Sequence, residues 1–143
     1  MEIGSPAYQG EVSCSWHEIE SLVKELALQI MKSGKKYDCI LGITNGGIIP
    51  AKLLSRELTI DAIQFIPVRN KAIIKDEMPT LHENKRYLVI DDIYDTGDTY
   101  RKVKDALQGF TCDFYFCMSR RDQDAGLSPK VLNHDKWIVF PWE

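Results

Sequence analysis

The sequence predicts an α/β protein with a mostly parallel sheet flanked by helices. Short apolar segments typical of buried strands alternate along the chain with segments in which apolar residues recur at helical spacing. Strands that alternate with helices are joined by right-handed crossovers, which place the strands parallel and cover both faces of the sheet. The chain has 143 residues, 44% of them hydrophobic, and contains no visible repeat or linker, so a single domain over residues 1–143 is expected.

The first predicted element is a helix over residues 16–31. Ser15 and Glu18 are spaced as in a capping box, in which two side chains satisfy free backbone N–H groups of the first turn. The apolar residues that follow recur every three or four positions, and the polar stretch around Gly34 ends the helix. A strand over 38–43, a helix over 49–57 and a strand over 60–68 are predicted next.

The second half of the chain continues this alternation. Residues 69–85 are polar without a clear period and are expected to form a loop. The apolar run that ends at Ile90 has the aliphatic, β-branched character of a strand buried on both faces. After it, the sequence predicts a helix over 99–108, a strand over 112–118 and an apolar, aromatic tail over 136–143.

The most informative segment directly follows Ile90. Asp91 and Asp92 stand at the carboxyl end of the predicted strand, where ligands collect in parallel sheets. Backbone N–H groups that converge at the start of the next helix bind anions. Carboxylates would repel a bare anion, so the pattern indicates a ligand with hydroxyl groups or a divalent cation as well as phosphate, such as a ribose phosphate with Mg²⁺. The turn consists of Asp95, Thr96, Gly97, Asp98 and Thr99.

Residues 89–99 resemble the phosphoribosyl pyrophosphate (PRPP) signature of the type I phosphoribosyltransferases, which runs apolar segment, Asp-Asp, two apolar residues, Asp-Thr-Gly-x-Thr. The resemblance implies that family's fold, with a small hood built from the chain ends. It also implies that Asp91 and Asp92 hold the ribose diol and the cofactor Mg²⁺. Asp95 would hydrogen-bond the acceptor base and take its proton. The 5′-phosphate would lie on Thr96, Gly97, Asp98 and Thr99, with Asp98 at a position where the family more often has a small or neutral residue.

A second turn with two glycines follows the 38–43 strand. Glycines allow backbone amides to approach a ligand closely, although such a turn is as often a plain tight turn. Its residues, Thr44, Asn45, Gly46 and Gly47, resemble the family's pyrophosphate loop, where an Arg commonly precedes the glycine pair. Arg69 is expected to join this pyrophosphate site, because 69–85 occupies the place of the family's mobile loop. Lys71 and Lys75 are further candidates there, and a merely solvated loop is the alternative.

The tail 137–143 resembles the carboxyl end of the short xanthine and hypoxanthine-guanine phosphoribosyltransferases, in which an aromatic ring packs on the purine. Trp137 would stack on the base and Ile138 would offer backbone contacts, unless Trp137 only fills the core. After the 112–118 strand, this subgroup presents a Lys to the purine 6-oxo group, whereas this chain has Ser119 followed by Arg120. Arg120 is the candidate that would replace it.

The resemblance therefore implies transfer of a 5-phosphoribosyl group from PRPP to a 6-oxopurine, which is xanthine, guanine or hypoxanthine, with release of pyrophosphate. A PRPP-binding regulator with little activity and a phosphoribosyltransferase for another base are the alternatives. A structural or interaction protein on the same fold would have no reason to keep the signature acids together. Family members usually pair subunits, so a homodimer or homotetramer is expected.

Charge and cysteine usage limit the remaining classes. The net charge of −3 argues against general affinity for nucleic acid or an anionic membrane. The 4 cysteines show no C-x-x-C spacing and are expected to be reduced thiols, with a zinc site at Cys112, Cys117 and a histidine as the alternative. Neither a signal peptide nor an apolar run long enough to span a membrane is visible, so a cytoplasmic location is expected.

Overall fold

A parallel sheet of four strands forms the centre of the computed structural model, which describes residues 8–120 and 128–143. In chain order the elements are β1 (Glu11–Ser13), α1 (Trp16–Ser33), β2 (Cys39–Ile43), α2 (Ile48–Leu58), β3 (Ile63–Ile66), β4 (Val68–Arg69), β5 (Ala72–Ile73), a short 3-10 helix (Lys75–Glu77), β6 (Arg86–Tyr94), α3 (Asp98–Ala106), β7 (Thr111–Ser119) and β8 (Trp137–Val139). The strand order is β3-β2-β6-β7, and each neighbouring pair is parallel. The predicted fold class is confirmed.

Helices cover both faces of this sheet, because successive strand residues point to opposite sides. One core lies beneath α1 and α2, and the other lies beneath α3. Strand residues of the first core include Ile40, Leu88, Ile90 and Cys117. Strand residues of the second include Leu41, Val89, Phe114 and Phe116. The continuous apolar runs in the sequence are therefore explained by burial on both faces.

Local caps define α1 as the sequence predicts. The Ser15 hydroxyl accepts a hydrogen bond from the Glu18 amide at 3.0 Å. At the other end, Gly34 adopts φ 76°, and its amide donates to the Met31 carbonyl at 3.1 Å. The helix ends at Ser33, two residues later than predicted, because the αL conformation that terminates it falls on Gly34.

The strand bounds around the predicted ligand edge differ from the sequence prediction. β6 continues past Ile90 and pairs with β7 as far as Tyr94 opposite Ser119. On its other side, the last pair is Gly42 of β2 with Ile90, because β2 turns away after Ile43. One edge of residues 91–94 is therefore left uncovered, and a crevice opens beside it. β3 is shorter than the predicted 60–68 strand, because it spans only the residues that pair with β2, and Val68 belongs to β4.

The polar stretch 69–85 begins within a hairpin rather than a plain loop. β4 and β5 pair antiparallel, and the two residues between them, Asn70 and Lys71, have φ 50° and 62°. Two consecutive residues at positive φ are typical of the tight turns that join hairpin strands. The Lys102 ammonium of α3 donates to the Lys71 carbonyl at 2.6 Å and ties the turn to the body. Strands of two residues are too short to show a period, so the sequence did not predict them.

The two end segments meet in a second, two-stranded sheet. β1 and β8 are parallel, with Val12 opposite Ile138. Next to this pairing, the Gln9 amide donates to the Asp135 carbonyl at 2.9 Å and the Trp137 amide donates to the Gly10 carbonyl at 2.7 Å. The small hood that the family resemblance implies is present, although β1 itself was not predicted.

Two sequence-level questions are resolved by the strands. Cys112 and Cys117 pack into the two opposite cores, so they cannot share a metal ion. Within 8–120 and 128–143, no group of three or more His, Cys, Asp or Glu is placed to hold a metal. Over the same ranges, no helix combines the length and the hydropathy that crossing a bilayer requires.

We predict that Leu26→Ala lowers the free energy of unfolding by about 2–5 kcal/mol, because it leaves a cavity under α1. Leu26 is 0% exposed, whereas Leu28 on the same helix is 54% exposed. Leu28→Ala is the matched control and should change stability by less than about 0.5 kcal/mol. Urea denaturation measures both. Equal losses would show that the buried face of α1 is misassigned.

Candidate active site

Two neighbouring cavities lie along the crevice at the carboxyl end of β6. The first has a volume of about 170 Å³ and the second about 210 Å³. Both are lined by Asp92, Ile93 and Asp95, so these residues form a shared wall. We call the first the phosphate cavity and the second the base cavity, after the ligand groups predicted for their residues.

The phosphate cavity is built from one continuous segment and one residue of β7. Its lining residues are Asp91, Asp92, Ile93, Tyr94, Asp95, Thr96, Gly97, Asp98, Thr99, Tyr100 and Phe116. The structure thus brings all residues predicted for the 5′-phosphate together with the three catalytic acids. The amino terminus of α3 lies here, where the first backbone N–H groups of a helix lack intrahelical partners and attract anions.

Gly97 is required at the bend that opens this cradle. Its φ is 91°, a conformation that residues with a side chain rarely adopt. A Cβ atom there would lie 2.5 Å from the Tyr94 hydroxyl and 2.8 Å from Arg101 Nη1. Both backbone conformation and available space therefore select glycine at this position.

Asp98 does not face the cradle as an unpaired charge. Its Oδ1 lies 2.7 Å from Nη2 of Arg101, one helical turn later, and both side chains are exposed. The hydrogen bond from Arg101 lowers the pKa of the Asp98 carboxyl below its ordinary value. Arg101 thereby offsets the negative charge of Asp98, which stands where the family more often has a small or neutral residue. It also places a guanidinium beside Gly97. Arg101 was not among the predicted site residues, although its spacing from Asp98 is that of a helical ion pair.

Asp91 and Asp92 are held by local backbone contacts at the end of β6. The Asp92 amide donates to Asp91 Oδ1 at 2.8 Å, and the Ile93 amide donates to Asp92 Oδ1 at 2.7 Å. Burial raises the pKa of the Asp92 carboxyl to about 6. Burial, followed by the charge of Asp92, raises the pKa of Asp91 well above the ordinary value. Two adjacent carboxylates with so little solvation are a favourable place for a cation or for hydroxyl donors.

These two side chains fit Mg²⁺ in the way that enzymes usually bind it. Mg²⁺ keeps several waters and takes one or two carboxylates together with substrate phosphates, rather than a complete protein cage. Asp91 and Asp92 supply that number of carboxylates at the edge of the phosphate cavity. Their raised pKa values reflect a desolvated negative charge that a cation would compensate.

The glycine turn after β2 closes the crevice from the other side. A Cβ atom on Gly46 would lie 2.3 Å from Oδ2 of Asp92, so the turn packs directly against the acidic pair. The Thr44 hydroxyl donates to the Ile66 carbonyl at 3.2 Å and accepts from the Val68 amide at 3.1 Å, which fixes the turn to β3 and β4. The predicted pyrophosphate turn, whose Thr44–Asn45 peptide is cis, therefore borders the predicted ribose and metal site.

Arg69 lies apart from both cavities. Its guanidinium pairs with Glu77 at 2.5 Å, and both side chains are exposed. Lys71 and Lys75 are also exposed, at the hairpin turn and in the short helix that follows. The structure does not bring these three residues to the site, and their role toward pyrophosphate stays a prediction.

The base cavity unites residues that are far apart in sequence. Its lining residues are Asp92, Ile93, Asp95, Arg120, Trp137, Ile138, Phe140 and Glu143. All three residues predicted to contact the base are present. Ser119, which stands at the position of the subgroup's Lys, is buried in β7 and does not line the cavity.

Arg120 is directed at Asp95. Its Nε lies 2.8 Å from Asp95 Oδ1, and the Arg120 side chain is only 9% exposed. The Arg120 amide donates to the Tyr94 carbonyl at 2.9 Å, and its Nη1 donates to the His134 carbonyl at 3.2 Å. Asp95 is therefore positioned by a guanidinium that is itself fixed by β6 and by the segment before β8.

Two further residues of this region escaped the sequence analysis. Glu143 lines the base cavity, and its charge contributes to the raised pKa of Asp92. Its position five residues after Ile138, in the same aromatic tail, was a usable signal. Tyr8 donates a hydrogen bond to Asp95 Oδ2. Nothing in the local sequence indicated this contact, since it joins residues 87 positions apart.

The sequence profile described as "Phosphoribosyl transferase domain" matches residues 15–143, which include every lining residue of both cavities. This chain belongs to the phosphoribosyltransferase family. The family assignment made from the signature segment is confirmed, and the residue roles within the site stay predictions.

Among curated phosphoribosyltransferases, the xanthine-guanine phosphoribosyltransferase of Idiomarina loihiensis is 26% identical over 141 residues, which cover 93% of this chain and 87% of that protein. The solved purine phosphoribosyltransferase of Pyrococcus horikoshii superposes with a TM-score of 0.78 at 26% identity, covering 94% and 95% of the two chains. The xanthine-guanine-hypoxanthine phosphoribosyltransferase of Helicobacter pylori gives a TM-score of 0.80 at 20% identity and 93% coverage of both chains, which shows a shared fold.

We predict that Asp92→Asn makes the ligand-free phosphoribosyltransferase more stable at about pH 8, by about 1–3 kcal/mol. The folded-state pKa of Asp92 lies above the unfolded value, so the folded protein binds more protons in this range, and wild-type stability falls as pH rises from about 4 through about 6. The neutral Asn removes that loss. Urea denaturation at several pH values measures the difference, which should vanish near pH 4.

The exposed Asp61, outside both cavities, provides the matched control. Asp61→Asn, a surface substitution, should change the stability at about pH 8 by less than about 0.5 kcal/mol. If Asp92→Asn behaved in the same way, the carboxyl of Asp92 would not be desolvated in the folded protein.

Proposed function

We propose that this phosphoribosyltransferase transfers the 5-phosphoribosyl group from PRPP to a 6-oxopurine, releasing pyrophosphate, in purine salvage. The observation that carries the proposal is the shared wall of Asp92 and Asp95 between an anion-binding cavity and an aromatic one. A ribose placed at this wall has its phosphate on one side and the acceptor on the other. The names of the curated relatives and of the Pyrococcus horikoshii structure support a purine as the acceptor.

The phosphate cavity is suited to the 5′-phosphate. The amino terminus of α3 offers backbone N–H groups, and Thr96 and Thr99 add hydroxyls. Arg101 supplies a guanidinium next to Gly97, which favours a phosphate dianion despite the charge of Asp98. This end of the site would set the position of the ribose ring.

The reaction proposed is displacement at the anomeric carbon with inversion. A ring nitrogen of the base forms the new C–N bond while the bond from that carbon to the pyrophosphate oxygen breaks, through an oxocarbenium-like state. Asp91 and Asp92 would hold the ribose diol, and their negative field favours the developing positive charge. Both residues would also hold Mg²⁺, which when bound would offset the charge of the pyrophosphate leaving group.

The pyrophosphate would lie against the turn 44–47. Gly46 and Gly47 carry no side chain there, and a Cβ on either would collide with Asp92 or with the backbone of β2 and β6. The Gly47 amide donates to the Ile43 carbonyl at 2.7 Å, so the proposed backbone donors to the leaving group are the amides of Asn45 and Gly46. Asn45 at the position of the family's usual Arg supplies no charge, so Arg69 on the hairpin is the proposed cation.

Asp95 is the proposed acceptor of the proton from the base. A carboxylate in this role must be positioned rather than freely solvated, and the 2.8 Å contact with Arg120 provides that positioning. Each carboxylate oxygen has a second lone pair, so Asp95 can accept from the base while Arg120 remains bound.

The base itself would pack on Trp137 with its polar edge toward Ile138 and Arg120. The buried indole N–H of Trp137 finds no acceptor within 8–120 and 128–143, so a ligand acceptor would satisfy it. Arg120 donates where the subgroup has Lys, and its planar fork suits a carbonyl. The candidate acceptors are guanine, xanthine and hypoxanthine. The cytoplasmic location and a homodimer or homotetramer complete the proposal as predictions.

The deciding experiment follows nucleoside monophosphate formation from PRPP, Mg²⁺ and separate 6-oxopurines. The wild-type chain should turn over at least one base, and Asp95→Asn should lower kcat by about 10²–10⁴-fold, because a positioned general base is removed. Asp61→Asn should retain wild-type activity. Omitting Mg²⁺ should abolish turnover.

No turnover with any base, together with measurable PRPP binding, would contradict the enzyme assignment. That result would favour a PRPP-binding regulator. Turnover that is equal in wild type and Asp95→Asn would show that another group accepts the proton.

A separate prediction concerns Asp98. Asp98→Asn should lower the KM for PRPP by about two- to fivefold, because it removes a negative charge from the cradle and frees Arg101 for the phosphate. Arg101→Ala should raise the same KM. Steady-state kinetics at saturating base measures both, and the KM for the base should not move. An increased KM for PRPP in Asp98→Asn would show that Asp98 contributes to binding.

A further inference from the structure

Tyr8 makes three contacts in front of the base cavity. Its hydroxyl donates to Asp95 Oδ2. Its ring lies edge-on to Trp137, with centroids 4.8 Å apart and an interplanar angle of 74°. The guanidinium carbon of Arg120 stands 4.9 Å from the Tyr8 ring centroid, within cation–π distance.

These three partners are the ones assigned to the acceptor base. Asp95 is the proposed proton acceptor, Trp137 the aromatic contact and Arg120 the donor to the base carbonyl. Tyr8 offers them what a base would offer, namely a flat ring and a hydrogen-bond donor. We propose that Tyr8, which does not line the base cavity itself, holds these three side chains in the free protein and releases them when the base binds. This inference rests on the proposed function.

The hydrogen bond from Tyr8 to Asp95 persists across the physiological pH range, but a donor on the base can replace it. Burial and the bond to Asp95 raise the pKa of Tyr8 to about 12, so the phenol remains a donor across the physiological range. A base N–H can take over the same acceptor without a change in the charge of the site. Exchange of one donor for another leaves Asp95 hydrogen-bonded in both states.

The backbone allows Tyr8 to leave while the hood remains intact. The hood pairing begins at Glu11, opposite Trp137. Gly10 separates Tyr8 from this pairing, at φ 102°, and a Cβ added to it would have no atom of residues 8–120 or 128–143 within 4 Å. Rotation at Gly10 can therefore move Tyr8 away from its three partners, with loss of the hydrogen bond from the Gln9 amide to the Asp135 carbonyl. β1 and β8 need not separate.

The consequence is a competition that weakens base binding. When only a fraction of molecules has Tyr8 displaced, the apparent dissociation constant of the base rises by the inverse of that fraction. The PRPP phosphate would lie in the phosphate cavity, whose lining residues do not include Tyr8, so the affinity for PRPP should be independent of Tyr8.

The test compares steady-state kinetics of wild type, Tyr8→Phe and Tyr8→Ala with the 6-oxopurine that the wild type uses. Tyr8→Phe keeps the ring and removes the donor, and Tyr8→Ala removes both. We expect the KM for the base to fall by about three- to tenfold in Tyr8→Phe and at least as far in Tyr8→Ala. The KM for PRPP and kcat should stay within about twofold, since chemistry begins after Tyr8 has left.

Tyr37→Phe is the matched control. The Tyr37 hydroxyl also donates to a carboxylate, Asp113, at 2.6 Å, but at the opposite end of the sheet. It should change none of the kinetic constants.

A KM for the base that rises in the Tyr8 variants would make Tyr8 part of the binding wall, and an unchanged KM would show no competition. Either result overturns the inference while the turnover of wild type upholds the function. Absence of turnover in the wild type and in the variants alike would contradict both the proposed function and the inference about Tyr8.

Discussion

Two adjacent carboxylates at the end of a buried strand are the constraint around which this site is built. Removing Asp91 and Asp92 from water costs free energy, and their raised pKa values record that cost. The surrounding structure leaves space in which a ligand, rather than another protein group, could compensate the charge of these carboxylates. β2 ends before it reaches them, Gly46 carries no side chain against Asp92, and the uncovered edge of β6 opens to the crevice. The buried carboxylates make the ligand-free protein less stable, and a bound sugar and cation would restore that stability.

The arrangement also explains why the two cavities adjoin. Asp92 and Asp95 lie three residues apart on a segment that passes from strand into turn, so each can face both cavities. Displacement at a sugar carbon needs the leaving group and the acceptor on opposite sides of that carbon. With the 5′-phosphate in the cradle and the base in the aromatic cavity, the ribose would lie at the wall of carboxylates, and the turn 44–47 beside Asp92 would take the pyrophosphate.

The part of the site that is contiguous in sequence could be predicted from the sequence. Residues 91–99 carry their own strand, turn and helix start, and α1 carries its own caps, so local patterns were sufficient. The contacts that depend on distant segments were not predictable in this way. Tyr8 reaches Asp95 only because β1 pairs with β8, and Arg69 points to Glu77 because a tight hairpin turns the chain there. Both β1 and the hairpin have strands of two or three residues, which show no period.

The pairing of β1 with β8 has a consequence for the order in which the site matures during synthesis. Every lining residue of the phosphate cavity lies at or before Phe116, so all of them leave the ribosome before β8 does. The base cavity needs Trp137, Ile138, Phe140 and Glu143. A nascent chain would thus acquire its sugar-phosphate half first, and the acceptor half would be completed only when the last strand docks beside an early one.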